Sequence, residues 1–139
     1  MQKGCNRDFK VGEKVHLLDY WSSEVLRTRA EILSVDNQNQ KFLALLYGDT
    51  YQTYSFNDYG RLIFDTAEEA SEAAKKLPKS GTTVYQKIGN RVYKKKSLGI
   101  SGQHFDGVYD LIILFDKGKN VSIKDIGVSI FLNEVEARK

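Results

Sequence analysis

The sequence predicts a mainly β protein built from two tandem copies of a small barrel-like unit, each ending in a short helix. Three observations carry that expectation: an internal repeat, about five short strand patterns per copy separated by glycine-bearing turns, and a helix-opening signature at the same place in both copies. The repeat sets the frame. Phe42 to Phe64, FLALLYGDTYQTYSFNDYGRLIF, lies over Tyr109 to Phe131, YDLIILFDKGKNVSIKDIGVSIF, without a gap at a constant offset of 67 residues. Ser55, Asp58, Gly60, Ile63 and Phe64 recur as Ser122, Asp125, Gly127, Ile130 and Phe131, and Thr66, Glu69 and Ala70 recur as Asn133, Glu136 and Ala137. Upstream, Val25 falls on Val92, while Gly12 with Gly81 and Val15 with Val84 are 69 apart.

The elements follow in order. Val11 to Leu17 and Thr83 to Ile88 read as opening strands, and Gly89-Asn90 as a two-residue hairpin turn leading to a second strand through Val92 and Tyr93. Ala30 to Val35 is the corresponding strand of copy one. The apolar runs Phe42 to Tyr47 and Tyr109 to Phe115 come next, each followed by a turn and an alternating strand, Thr53 to Phe56 or Asn120 to Ile123. Thr66 with Glu69 is a capping box opening a helix over 67–77 with Ala67, Ala70, Ala74 and Leu77 on one face, and Pro78 stops it. Asn133 with Glu136 opens a second helix of about one turn. The units are therefore 1–78 and 79–139, with the boundary at Pro78 to Gly81.

Five strands in about 65 residues fit a small SH3-like or Tudor-like barrel better than a sandwich, and one mixed sheet shared by both halves is the rival. The opening FKVGEKV and the ending DYGRLIFDTAEEA resemble small SH3-like accessory proteins of phages and mobile elements of Gram-positive bacteria. That resemblance covers about half the chain directly and implies a binding or inhibitory factor. Copy two departs from it, with Ile126 in place of Tyr59 and Leu132-Asn133 in place of Asp65-Thr66.

Composition narrows the class. With 41% hydrophobic and 28% charged residues the 139-residue chain is globular. Without a long apolar run, and with a polar start, it is expected to lack a signal peptide and a membrane span and to be cytoplasmic. Cys5 is the only cysteine, which excludes an intramolecular disulfide and fits a reducing compartment. His16 and His104 do not correspond under the repeat and lack a zinc-ligand spacing; no phosphate loop or nucleophile motif occurs either. Asp58, Gly60, Asp125 and Gly127 read as turn residues. The expectation is a non-enzymatic protein with no cofactor, no metal and no small-molecule substrate.

Two features remain as candidate sites. Tyr20, Trp21, Tyr47, Tyr51, Tyr54 and Tyr59 are concentrated in copy one, where the repeat gives the last four the counterparts Leu114, Gly118, Val121 and Ile126. They read either as a protein-binding surface, with Trp21 as its anchor, or as rings filling a small core. Residues 1–78 carry ten Lys/Arg and twelve Asp/Glu, a net charge of −2, whereas 79–139 carry eleven and six, a net +5. There Lys87, Arg91, Lys94, Lys95 and Lys96, with Tyr85 and Tyr93, sit on one hairpin, which reads as a nucleic-acid ribbon or as a lysine-protected sheet edge. The overall net charge of +3 argues against a mimic of DNA. The expected function is protein binding, as an inhibitor of a host enzyme; the alternative is nucleic-acid binding through the second copy.

Overall fold

The computed structural model describes residues 7–21 and 24–139; Cys5 and most of the polar leader lie outside them. The chain forms two five-stranded antiparallel sheets. The first half contains β1 (Lys14–Trp21), β2 (Glu24–Asp36), β3 (Lys41–Leu46), β4 (Thr50–Ser55) and β5 (Ile63–Phe64), then helix α1 (Ala67–Lys75). The second contains β6 (Thr83–Ile88), β7 (Arg91–Phe105), β8 (Val108–Phe115), β9 (Val121–Ser122) and β10 (Ile130–Phe131), then helix α2 (Glu134–Ala137). The sheet orders are β4-β3-β2-β1-β5 and β10-β6-β7-β8-β9, so read from opposite ends they are the same order. In neither sheet do the two outermost strands pair with each other, and neither closes into a barrel.

Local chemistry explains the shared features. Ser55 and Ser122 each accept a backbone N–H two residues on and open a 3-10 turn, which leads to Gly60 and Gly127 at φ of 89° and 87°, a region open to glycine at low cost. The Thr66 hydroxyl accepts the Glu69 N–H and donates to the Glu69 carboxylate; Asn133 caps Glu136 in the same position. Both second strands bulge at the same place, after Ile32 and after Ser97. There Gly12 N–H donates to Ile32 carbonyl at 2.7 Å and Gly81 N–H to Ser97 carbonyl at 2.8 Å.

Matching the halves by strand pairing shows what the sequence repeat concealed. At that bulge Ile32 pairs with Ala44 and Ser97 with Phe115, so β8 stands 71 residues from β3, not 67. The 67-residue offset holds from Ser55 and Ser122 onward. Three hairpins differ. In the first half β1–β2 continues past Asp19↔Leu26 with Tyr20↔Val25 and Trp21↔Glu24, whereas β6–β7 stops at Ile88↔Arg91. The β3–β4 hairpin adds Leu45↔Tyr51 and Leu46↔Thr50, where the second half has only Asp116-Lys117-Gly118. Conversely β2–β3 ends at Asp36↔Lys41, while β7–β8 runs on from Ser101↔Ile112 through four further pairs to Phe105↔Val108.

That lengthened β7–β8 hairpin is what joins the halves. Its Tyr109 meets Tyr54 of β4 with ring centroids 5.5 Å apart, and its hydroxyl accepts the Tyr20 N–H at 2.9 Å. One buried cluster runs through both halves, from Phe9, Leu17, Phe42 and Tyr54 to Tyr109, Leu111, Ile113 and Ile130. Neither half completes its core alone.

Candidate functional site

The aromatic residues do not form one surface. Trp21 and Tyr47, at the tips of the two hairpins lengthened in the first half, come together with ring centroids 6.4 Å apart and are 63% and 47% exposed. Tyr51 is exposed on the opposite face of β4 from Gln52 and Tyr54, across from Leu45. Tyr20 is half-buried against the seam. Tyr54 is fully buried, with its hydroxyl donating to the Leu18 carbonyl and accepting from the Gln52 amide. It is core, which corrects its place in the expected interface. Tyr59 lies elsewhere, edge-on to Phe9 and hydrogen-bonded to Asp65 in a cluster that Arg7 clamps through Asp65 and Glu13.

A buried carboxylate sets the position of the exposed pair. Asp19, 4% exposed, takes hydrogen bonds from the Tyr47 hydroxyl at 2.8 Å and from the Gln52 amide at 3.3 Å. A buried carboxyl group needs hydrogen-bond partners, and two neutral donors supply them here. Burial first, then Asp19, hold the Tyr47 phenol above its ordinary range; burial does the same for Tyr109, so both stay protonated. The tip ring of Tyr47 is thus fixed through a buried carboxylate. The repeat offset assigned Tyr47 the counterpart Leu114; by pairing, Leu114 stands at Leu43, and Tyr47 has no counterpart at all.

The basic residues spread over both faces of β6–β7. Cross-strand pairs put Lys87, Lys94 and Lys96 with Tyr85 on one face, and Arg91, Lys95 and Tyr93 with Val84 on the other. Lys95 lies over the Phe115 ring at 5.2 Å and donates to the Lys117 carbonyl, while Lys87 donates to the Lys139 carbonyl. Lys94, Lys96, Arg91 and Tyr93 are exposed.

A third constellation escaped the sequence. Asp58 and Asp110, from opposite halves and 4% and 8% exposed, line a cleft of about 600 Å³ with Ser55, Gln103, Tyr109 and Lys124. Burial first, then the Asp110 charge, raise the Asp58 carboxyl from 3.8 to about 6, against the opposing pull of Lys124 and Arg61. Its repeat partner Asp125 is only half-buried. Both aspartates are turn residues, as expected. What differs is that the β7–β8 extension covers one of them, and nothing in the residues around Asp58 signals that. His104 stacks edge-on against Tyr109 at 5.2 Å, and no cluster of three or more metal-binding side chains occurs among the described residues.

Fold and sites together define a small mainly β protein with an exposed, anchored aromatic pair on one half and a two-faced basic ribbon on the other. No helix among the described residues is long and apolar enough to cross a membrane. Searches against family models, curated proteins and solved structures find no match to this chain.

Proposed function

We propose that the protein is a non-enzymatic, cytoplasmic binding factor that captures a protein partner through Trp21 and Tyr47. The observation that carries this reading is the anchored pair itself. Two large rings stand exposed side by side at hairpin tips present only in the first half, and one of them is held from beneath by Asp19. Exposed Trp and Tyr in a fixed geometry are the residues that dominate protein interfaces, because they bring large contact area at small entropic cost.

The matching strand orders support reading the two halves as tandem units of one diverged SH3-like design, left open and fused through a common core. The resemblance to accessory proteins of mobile elements makes a host enzyme the partner to test first, with inhibition as the consequence of capture.

Trp21 is the only tryptophan, so its emission reports directly on the site. Binding a partner is expected to shift that emission to shorter wavelength, and Trp21→Ala is expected to abolish capture of the partner on immobilised protein while the far-ultraviolet circular dichroism stays unchanged. Wild-type capture by Trp21→Ala would overturn the proposal.

A further inference from the structure

We infer a second binding site, independent of the aromatic pair: the β6–β7 ribbon holds double-stranded nucleic acid by presenting cations to phosphates on both of its sides. The inference begins with a comparison of equivalent positions. In the first half the inward face of β1–β2 is core, with Val15, Leu17, Asp19, Thr28 and Ala30 all buried. By pairing, four of these positions are taken in the second half by Gln86 for Leu17, Ile88 for Asp19, Tyr93 for Thr28 and Lys95 for Ala30. Only Val84, in the place of Val15, remains buried. Beyond Val84 this face is only partly covered: Gln86 and Lys95 are half-buried, and Ile88, Arg91 and Tyr93 are exposed.

The other face changes in the same direction. In the first half α1 packs on β1 and β2, and Leu18 is fully buried there. The counterpart of Leu18 is Lys87, and α2, with four residues, packs on β6 and β10. Lys94 and Lys96 are left exposed. The far edge of β7 is open as well, because β8 pairs with β7 only from Ser97 onward.

Charge completes the case. No Asp or Glu occurs between Glu72 and Asp106, a stretch that contains eight Lys or Arg. Among the described residues no Asp or Glu carboxylate lies within 4.0 Å of Lys87, Arg91, Lys94, Lys95 or Lys96. In the first half, by contrast, Lys14 pairs with Glu31 at 3.1 Å, and Arg27 shares a groove with Glu68 and Glu72 of α1. A sheet edge protected by lysine needs charge at one place; here cations project from both faces of a ribbon about 15 Å long. A B-form major groove, about 12 Å wide, admits a two-stranded ribbon and has phosphates along both walls. A single strand would follow one face only. The contacts argued here are to phosphates, which carry no sequence information directly, so the binding is sequence-tolerant.

The test is fluorescence anisotropy of a labelled duplex of about 20 base pairs, long enough to span two turns, and of a single strand of the same length. The full-length protein is titrated at about 50 and about 150 mM salt. The expected result is duplex binding that weakens steeply with salt. The double variant Lys94→Glu/Lys96→Glu on one face and Arg91→Glu on the other should each weaken it, the double variant about tenfold or more, and each should lower the salt slope. Trp21→Ala should bind the duplex as wild type does, so failure here is distinguishable from failure of the protein-partner reading. Absence of duplex binding at low salt would overturn the inference. So would equal affinity for the single strand, or wild-type binding by Arg91→Glu, since either would mean that only one face is used. Unchanged melting temperatures confirm that the charge variants remain folded.

Discussion

The two halves run their strands in the same order, yet each of the three hairpins has a different length in the two. The first half lengthens β1–β2 and β3–β4, and the added tips carry Tyr20, Trp21 and Tyr47. The second half shortens those two and lengthens β7–β8, and the added pairs carry Tyr109 and Asp110 into the other half. The common framework, from Ser55 to Ile63 and from Ser122 to Ile130, is concerned with turns and caps. What the comparison teaches is that candidate chemistry sits where the units differ, at a hairpin tip, a lengthened strand or a shortened helix. Loops and tips tolerate length changes because their backbone is solvated, so they are where two halves with one strand order can differ.

The sharpest way to break the comparison is at Tyr54 and its counterpart Val121. Tyr54→Ala removes a fully buried ring that contacts Phe42 and Tyr109 and bonds to Leu18, and should cost about 3–5 kcal/mol in urea unfolding. Val121→Ala, at a half-buried site, should cost about 1 kcal/mol or less. Equal effects would mean that the seam is not part of the common core.

A smaller effect is expected at Gly102, which lies under Tyr109. A Cβ there would stand 2.8 Å from the Tyr109 Cζ and closer still to its hydroxyl, so Gly102→Ala must displace the ring that joins the halves. The expected loss is roughly 1–3 kcal/mol. Gly107→Ala is the control for the hairpin, since open space surrounds that position and only its φ of 79° opposes the change.

Asp58 and Asp125 sharpen the comparison through pH. The folded-state carboxyl of Asp58 is raised from 3.8 to about 6, so the folded protein holds its proton more tightly than the unfolded chain does. The stability that this proton contributes is therefore fully present below about pH 4, is lost as pH rises from 4 to 6, and is absent above 6. Asp58→Asn removes that fall and should be more stable than wild type by roughly 1–3 kcal/mol at pH 8, with little difference at pH 4. Asp125→Asn, at the half-buried counterpart, is the control for the substitution itself. Melting temperatures across pH 4–8 decide between them.

Much of the fold was legible because it rests on local chemistry. The Gly89-Asn90 turn, the caps at Thr66 and Asn133, and the turns at Asp58-Gly60 and Asp125-Gly127 are determined by nearby residues, and each stands where the residues placed it. The closure of the units into barrels was not legible, and the sheets are open. The register of β8 was hidden for a physical reason. Side chains in a strand alternate with period two, so sliding Tyr109 to Phe115 by four residues leaves the same residues pointing inward. Phe42 lies opposite a buried residue's place whether its counterpart is Tyr109 or Ile113. Length changes in two successive turns nearly cancel, and the ungapped match conceals them. The same concealment paired Tyr47 with Leu114 and left the Asp58–Asp110 cleft unseen, since that cleft exists only when β7–β8 is longer than its counterpart. Tyr54 could not be separated from Tyr51 by residue type; only the inward alternation from Gln52 to Tyr54 distinguishes them.

The seam at Tyr109 also bears on how such a chain could be divided. The repeat boundary near Pro78 looks like a natural place to cut, yet a fragment ending there would expose Tyr54 and leave the Tyr20 N–H without its acceptor, while the other fragment would carry Tyr109 and Leu111 into water. Each piece holds the apolar complement of the other. Co-expressed fragments would thus behave as a split pair, each acting as the folding template for its sister, and either one made alone would be substrate for cellular proteases.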